Sequence, residues 1–152
     1  ELLQRMADEV DDPVLYRDPA QPATDTPAAL PAGLMEFARE GLERLVNDPQ
    51  GLACALGEVM TEPKPSTWFD EPQTDWVPGA VRLDRRTRMM YDERHVFING
   101  ESFRAGGADA RLMRELADRR RLPAPRVQRA SADARALMQD WFEAGWLHRE
   151  PS

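Results

Sequence analysis

In 152 positions the chain has one cysteine, Cys54, two histidines, His95 and His148, one lysine, Lys64, and no run of eighteen apolar residues. A single thiol excludes an internal disulfide and a cysteine-built zinc site, and two histidines leave little for a histidine metal cluster. The missing apolar run removes any expectation of a transmembrane helix. The opening ELLQRMADEVDD has neither the basic nor the apolar region of a signal peptide. A soluble protein of the cytoplasm is expected. The first residue, Glu1, falls inside what reads as a helix, so the chain is expected to be a piece of a longer protein, with room for a catalytic centre upstream.

What is present suffices for a core: 41% of the residues are hydrophobic and 31% charged, while 13 prolines cut the chain into pieces. The length suits one ordinary domain or two small ones. Charge separates the halves. Residues 1–81 hold 5 basic and 16 acidic groups, a net −11, whereas residues 82–152 hold 15 and 11, a net +4. Nearly all the basic groups are arginine, which by itself identifies no partner.

Leu2, Leu3, Met6 and Val10 recur at helical spacing until Asp11, Asp12 and Pro13 stop them. The five prolines between Pro13 and Pro31 suit an extended connector. From Pro31 to Asn47 the residues Leu34, Phe37, Ala38, Leu42, Leu45 and Val46 form one face of an amphipathic helix. Asp48 and Pro49 then read as an N-cap and first-turn proline opening a shorter helix with Leu52, Cys54, Leu56, Val59 and Met60. Residues 61–81, with four prolines, mark a boundary, and Trp68, Phe69 and Trp76 are expected to dock on a neighbouring surface. Alternation predicts a strand from Val81 to Tyr91 and another from His95 to Phe103, paired as a hairpin with Asn99-Gly100 as a tight turn or bulge, closed by Gly106-Gly107. A helix follows from Ala108 to Arg121, stopped by Leu122-Pro123-Ala-Pro125. Ser131 caps a last helix carrying Ala134, Leu137, Met138, Trp141 and Phe142, and beyond Gly145 a short strand runs from Trp146 to His148. The fold class is therefore mainly α with a small β component: a helical segment, then a winged-helix-like α+β unit.

Chemistry is scarce. His148-Arg149-Glu150 has the form HxE, and His95 is available as a third ligand for a two-histidine, one-carboxylate iron centre. Its place at the C-terminus favours a surface histidine in a frayed end. His95 reads as a strand-end residue, and Cys54, between Leu52 and Leu56, as a buried structural thiol. No serine occupies a nucleophile elbow. No catalytic, cofactor-binding or metal residue is assigned. Arg82, Arg85, Arg86 and Arg88, with Arg111, Arg114 and Arg119 to Arg121, are able to face phosphates, but the interleaved acids favour ion pairs. The stripe Leu34, Phe37, Leu42 and Leu45 belongs to helices too short to bury it among themselves, so it is the predicted dimer interface.

Several short motifs carry a family resemblance. Arg88-Met-Met-Tyr91 followed by His95-Val-Phe-Ile-Asn-Gly-Glu-Ser-Phe103 resembles the C-terminal FxNGE hairpin of the JmjC-type, cupin-like ribosomal oxygenases. Glu1-Leu-Leu-Gln-Arg-Met-Ala-Asp, the connector Tyr16-Arg-Asp-Pro, and Met35 to Asn47 with Asp48-Pro-Gln look like the helical segment that follows their catalytic barrel. Trp141-Phe-Glu-Ala-Gly-Trp-Leu147 and His148 look like the family's last helix and strand. The resemblance implies a parent enzyme that uses Fe(II), 2-oxoglutarate and oxygen to hydroxylate a ribosomal protein, an arginine of a large-subunit protein in the bacterial members. It also implies an order of barrel, helical dimerisation region and winged helix, of which this chain resembles the last two. The barrel's iron and keto-acid ligands have no counterpart here, so no cofactor is expected in this chain. The implied division is 1–62 for dimerisation, 63–81 as a Pro/Trp-rich linker and 82–152 as the winged helix. The expected partners are a second copy and, for the parent, a ribosomal protein, with no membrane and no specific DNA. A free-standing winged-helix module that binds nucleic acid or protein is the alternative.

Overall fold

The computed structural model describes residues 1–10, 14–17 and 22–150. The expected stop at Asp11 to Pro13 and the Asp18-Pro19 part of the connector lie outside them. The chain forms two compact units, Glu1–Ala55 and Leu56–Ser152.

The first unit is helical. It contains α1 (Leu2–Asp8), α2 (Ala32–Val46) and the start of α3 (Pro49–Thr61). Pro31 stands at the N-cap of α2 with extended backbone. The joint to α3 is built as the sequence predicts, since the Gln50 N–H donates to Asp48 Oδ1 at 3.0 Å, satisfying one of the first-turn donors. Arg39 bridges Glu36 and Glu43 on the solvent face of α2, the one-turn spacing at which helical side chains meet. No residue of α2 is buried. Among the described residues of this unit only Met6 and Ala55 are.

The second unit holds the rest of α3 and then β1 (Val81–Leu83), β2 (Met89–Tyr91), β3 (His95–Ile98), β4 (Glu101–Arg104), α4 (Gly107–Arg119), β5 (Arg121–Leu122), α5 (Ala124–Gln128), α6 (Ala132–Glu143) and β6 (Leu147–Arg149). Two antiparallel sheets form, in the orders β5-β1-β6 and β2-β3-β4. Their inner faces, with α4 and α6, enclose a core that includes Val81, Ile98, Leu116, Leu122, Met138, Trp141 and Leu147. Each large apolar side chain so buried contributes about 1.5 to 3 kcal/mol. This α+β unit has the predicted class.

The expected single strand from Val81 to Tyr91 is two strands in different sheets. Val81, Leu83, Met89 and Tyr91 keep one parity, which hides the break. The Asp84 carboxylate accepts the Arg86 N–H at 2.8 Å and the Asp84 carbonyl accepts the Thr87 N–H at 3.1 Å. A turn of this kind competes with the strand ladder. The predicted two-stranded hairpin is accordingly three-stranded. Asn99 and Gly100 both have positive φ, 48° and 91°, the conformation of a two-residue hairpin turn between β3 and β4. The helix read from Ala108 to Arg121 ends instead at Arg119, where Arg120 takes the left-handed conformation. Arg121-Leu122 then pairs with β1. Pro123 and Pro125 do not simply stop a helix; they open a further one, α5, because proline is favoured in a first turn. Ser131 caps α6 as predicted: its Oγ accepts the Ala134 N–H at 3.0 Å and donates to Asp109 Oδ2 at 2.6 Å.

Segment 63–80 packs against the rest of the second unit at two rings. Phe69 meets Trp146 edge-on at 6.3 Å and Trp76 lies 5.4 Å from Phe142. Trp68 does not dock as expected and is 72% exposed. A Cβ on Gly145, whose φ is +74°, would fall 2.3 Å from the Asp70 carbonyl oxygen. The chain reversal after α6 and the close approach of residue 70 therefore both require glycine there.

Candidate functional site

On the helical unit, α1 and α2 enclose an open groove of about 880 Å³ lined by Met6, Val10, Phe37, Leu42, Leu45 and Gly51, among others. The Tyr16 and Phe37 rings stand 5.5 Å apart. Of the predicted interface residues, Phe37, Leu42 and Leu45 line the groove and Leu34 does not. Leu34, Phe37 and Leu45 are half-buried, and Leu42 is exposed. Met35 and Val46 on the same helix are also exposed.

The histidines are held apart. His95 opens β3, and Asp92 accepts from its backbone N–H at 2.6 Å while its ring Nδ1 lies 3.4 Å from the second Asp92 oxygen. Burial works to raise the Asp92 pKa, but the backbone N–H groups of Arg94 and His95 outweigh it and hold the group below its ordinary value. His148 is not the frayed surface residue expected. It sits in β6 opposite Arg82, and its Nε2 is 2.8 Å from Asp84 Oδ2. The exit of β6 is tied down further by the Glu150 N–H, which donates to the Ala80 carbonyl at 2.8 Å. Asp84 is buried and also accepts from Arg86 Nε at 2.8 Å. That guanidinium holds the Asp84 carboxyl well below the usual carboxylate range, against the opposing effect of burial, with His148 adding to the shift. Sequence reasoning missed this cluster, because the partners lie 64 positions apart.

An iron triad of the kind implied by the resemblance does not fit these residues. His95 and His148 stand in different sheets, each beside its own aspartate, and no group of three or more His, Cys, Asp or Glu among the described residues is placed to hold a metal. Cys54, expected to be buried, is half-exposed.

The arginines are mostly structural. Arg120 donates to the Asp84 and Thr87 carbonyls, Arg88 to the Glu62 carbonyl, and Arg114 to those of Asp92 and Glu93. Arg126 and Arg119 both reach Glu115. Of the arginines weighed in the sequence, Arg119 pairs with Glu115 and Arg86 with Asp84 and Asp70 as expected, whereas Arg88, Arg114 and Arg120 are held by backbone carbonyls instead. Arg82, Arg85, Arg111 and Arg121 are exposed, and their side chains have no ion-pair or hydrogen-bond partner among the described residues.

A family model described as ROXA-like winged helix matches residues 44–148. No curated protein matches the chain. Among solved structures, YcfD, a ribosomal oxygenase from Escherichia coli, in complex with cobalt and 2-oxoglutarate, superposes with a TM-score of 0.75 at 20% identity over 99% of this chain and 45% of that one. The same enzyme with cobalt and succinic acid gives 0.74 at 21%, over 99% and 46%. An X-ray structure of E. coli ycfD gives 0.73 at 19%, over 98% and 44%. The likeness is one of fold, and the chain spans under half the length of these proteins. Because the family match takes in most of the residues and the whole sequence from the end of α2 to β6, the chain belongs to the ROXA-like winged helix family.

Proposed function

We propose that this chain is the C-terminal part of a 2-oxoglutarate- and Fe(II)-dependent oxygenase that hydroxylates a large-subunit ribosomal protein, on an arginine. In this reading residues 1–62 serve dimer assembly, residues 63–81 link, and residues 82–152 help to place the substrate. The observation that carries it is the family match, supported by a fold shared with a ribosomal oxygenase along almost the entire chain. The chemistry belongs to iron and 2-oxoglutarate bound outside this chain, and the chain's own residues assemble and orient.

Dimer assembly follows from the first unit. Leu42 is 54% exposed, and Met35 and Val46 exceed half exposure too, so covering them removes apolar area worth about 25 cal/mol per Å² from water. A self-complementary two-fold pairing is the commonest way to cover such a stripe. The purified chain should run as a dimer in light scattering, and Leu42→Asp or Leu45→Asp should give a folded monomer. A monomeric unmodified chain would end the dimer reading. The oxygenase reading is tested on the full gene product: deletion of the gene should leave one large-subunit ribosomal protein lighter by one oxygen atom, located by mass spectrometry on an arginine. An unchanged set of ribosomal protein masses would end that reading.

A further inference from the structure

The outer face of the sheet β5-β1-β6 carries a row of basic and imidazole side chains. Arg82 lies directly opposite Arg121 on one side and His148 on the other, so the three side chains share a face. Neighbouring strands are about 4.8 Å apart, which makes the row roughly 10 Å long. Like charges directly opposite each other in an antiparallel pair are destabilising. Arg85, Arg104 and Arg111 are also exposed without a side-chain partner among the described residues, but Arg82 and Arg121, equally exposed and equally without one, face each other directly across a strand pair. Arg121 also lines a recess of about 700 Å³ together with Arg119, Pro123 and Glu150.

The row continues past His148. His148 contacts Asp84, Asp84 is bonded to Arg86, and Arg86 reaches Asp70 at 3.0 Å. The Arg86 guanidinium lies 5.5 Å from the centre of the Phe69 ring. Next to Phe69 stands Trp68, 72% exposed. Asp84 and Asp70 are both occupied by Arg86. Glu150 is the acid left in the recess.

Two arginines without partners side by side, a histidine ring beside them and an exposed tryptophan, Trp68, one residue before Phe69 match the two requirements of an unpaired nucleic-acid strand: cations for the phosphates and flat rings for the bases. We propose that this face docks single-stranded RNA, with Arg82 and Arg121 on phosphates and Trp68 as a stacking platform. A duplex is disfavoured, because the row is a sheet face with no recognition helix beside it to enter a major groove. Unpaired RNA is the occupant, being the form in which proteins chiefly read RNA, and single-stranded DNA of the same sequence that competes as well as the RNA counts against it. The contact is to backbone and ring faces, so it carries little sequence preference.

The test is fluorescence anisotropy of the whole chain with a labelled twelve-nucleotide RNA of mixed sequence, titrated across a range of salt. Arg82→Gln and Arg121→Gln should each weaken binding several-fold and lower the salt slope by about 0.7, the value for one phosphate contact on a single strand. Arg82→Lys and Arg121→Lys should keep the slope. Glu150→Gln should tighten binding, and Trp68→Ala should weaken it with the slope unchanged. Arg104→Gln, in the other sheet, serves as the control for loss of charge. The proposal is overturned if the Arg82/Arg121 double variant binds like the parent chain, if Arg104→Gln weakens binding equally, or if duplex DNA or an acidic peptide competes as well as RNA does. Thermal melts of each variant separate loss of the site from loss of the fold.

Discussion

Gly57 lies near the C-terminal end of α3, where a glycine ordinarily weakens a helix by about 0.5 to 1 kcal/mol relative to alanine. On propensity alone Gly57→Ala should stabilise. The structure reverses the sign. A Cβ at position 57 would stand 2.5 Å from three carbons of the Phe97 ring, whereas carbon atoms in contact prefer about 3.5 to 4 Å. Phe97 is 3% exposed, and its neighbours leave it little room to retreat by the required ångström or more. Overpacking of this kind costs about 1 to 3 kcal/mol. After the propensity gain is subtracted, a loss of up to about 2.5 kcal/mol remains, at about 4 to 8 °C in Tm per kcal/mol for a unit of this size. All four tryptophans lie in the second unit, so urea unfolding followed by their fluorescence reports on that unit, and the midpoint should fall at constant slope. In a Phe97→Leu background the penalty should shrink, giving a coupling energy of about 1 kcal/mol. Gly41→Ala on α2, where the nearest atom is the tip of Arg44 at 3.9 Å, should instead add helix stability by circular dichroism. A higher urea midpoint for Gly57→Ala would refute the packing argument.

Asp84 gives a pH prediction. Its folded pKa lies below its unfolded value, so its contribution to stability is complete above about pH 4 and is lost as pH falls through the depressed folded value. Asp84→Asn should lose about 2 to 4 kcal/mol at pH 7, with His148 left without its carboxylate partner and Arg86 keeping only the exposed Asp70, and should flatten the acid limb of the urea midpoint measured against pH. Ser131→Ala removes both the N-cap of α6 and the hydrogen bond to Asp109; it should cost about 1 kcal/mol, the usual effect of an N-cap deletion, read as a lower urea midpoint. A sequence-specific DNA reader is not expected, because α6 presents Asp133, Asp140 and Glu143 against Arg135; a random-sequence competitor should abolish any duplex binding at physiological salt.

Some elements are legible because their signals are local. The helix over 31–47, the Asp48-Pro49 opening of α3, the Ser131 cap and the Asn99-Gly100 turn each depend on residues within four positions of one another. The hydrogen bonds that realise them are satisfied inside that window. The apolar stripe of α2 is legible in the same way, since a 3.6-residue period shows which side chains share a face. What lies beyond the window is decided by partners that composition and spacing do not name. The alternation from Val81 to Tyr91 is compatible with one strand or two, and the break falls at Asp84, whose N–H is taken by the Trp146 carbonyl at 2.8 Å. His148 reads as a loose terminal histidine because the sheet that holds it is completed by β1, far back in the chain. Gly57 reads as a weak point in a helix until Phe97 is laid against it. Local periodicity and capping thus determined which elements form, because backbone propensity and amphipathicity act over one or two turns. The pairing of strands, the Asp84 cluster and the adjacency of Arg82 and Arg121 were set by packing, because burial is shared among residues that only the closed chain brings together.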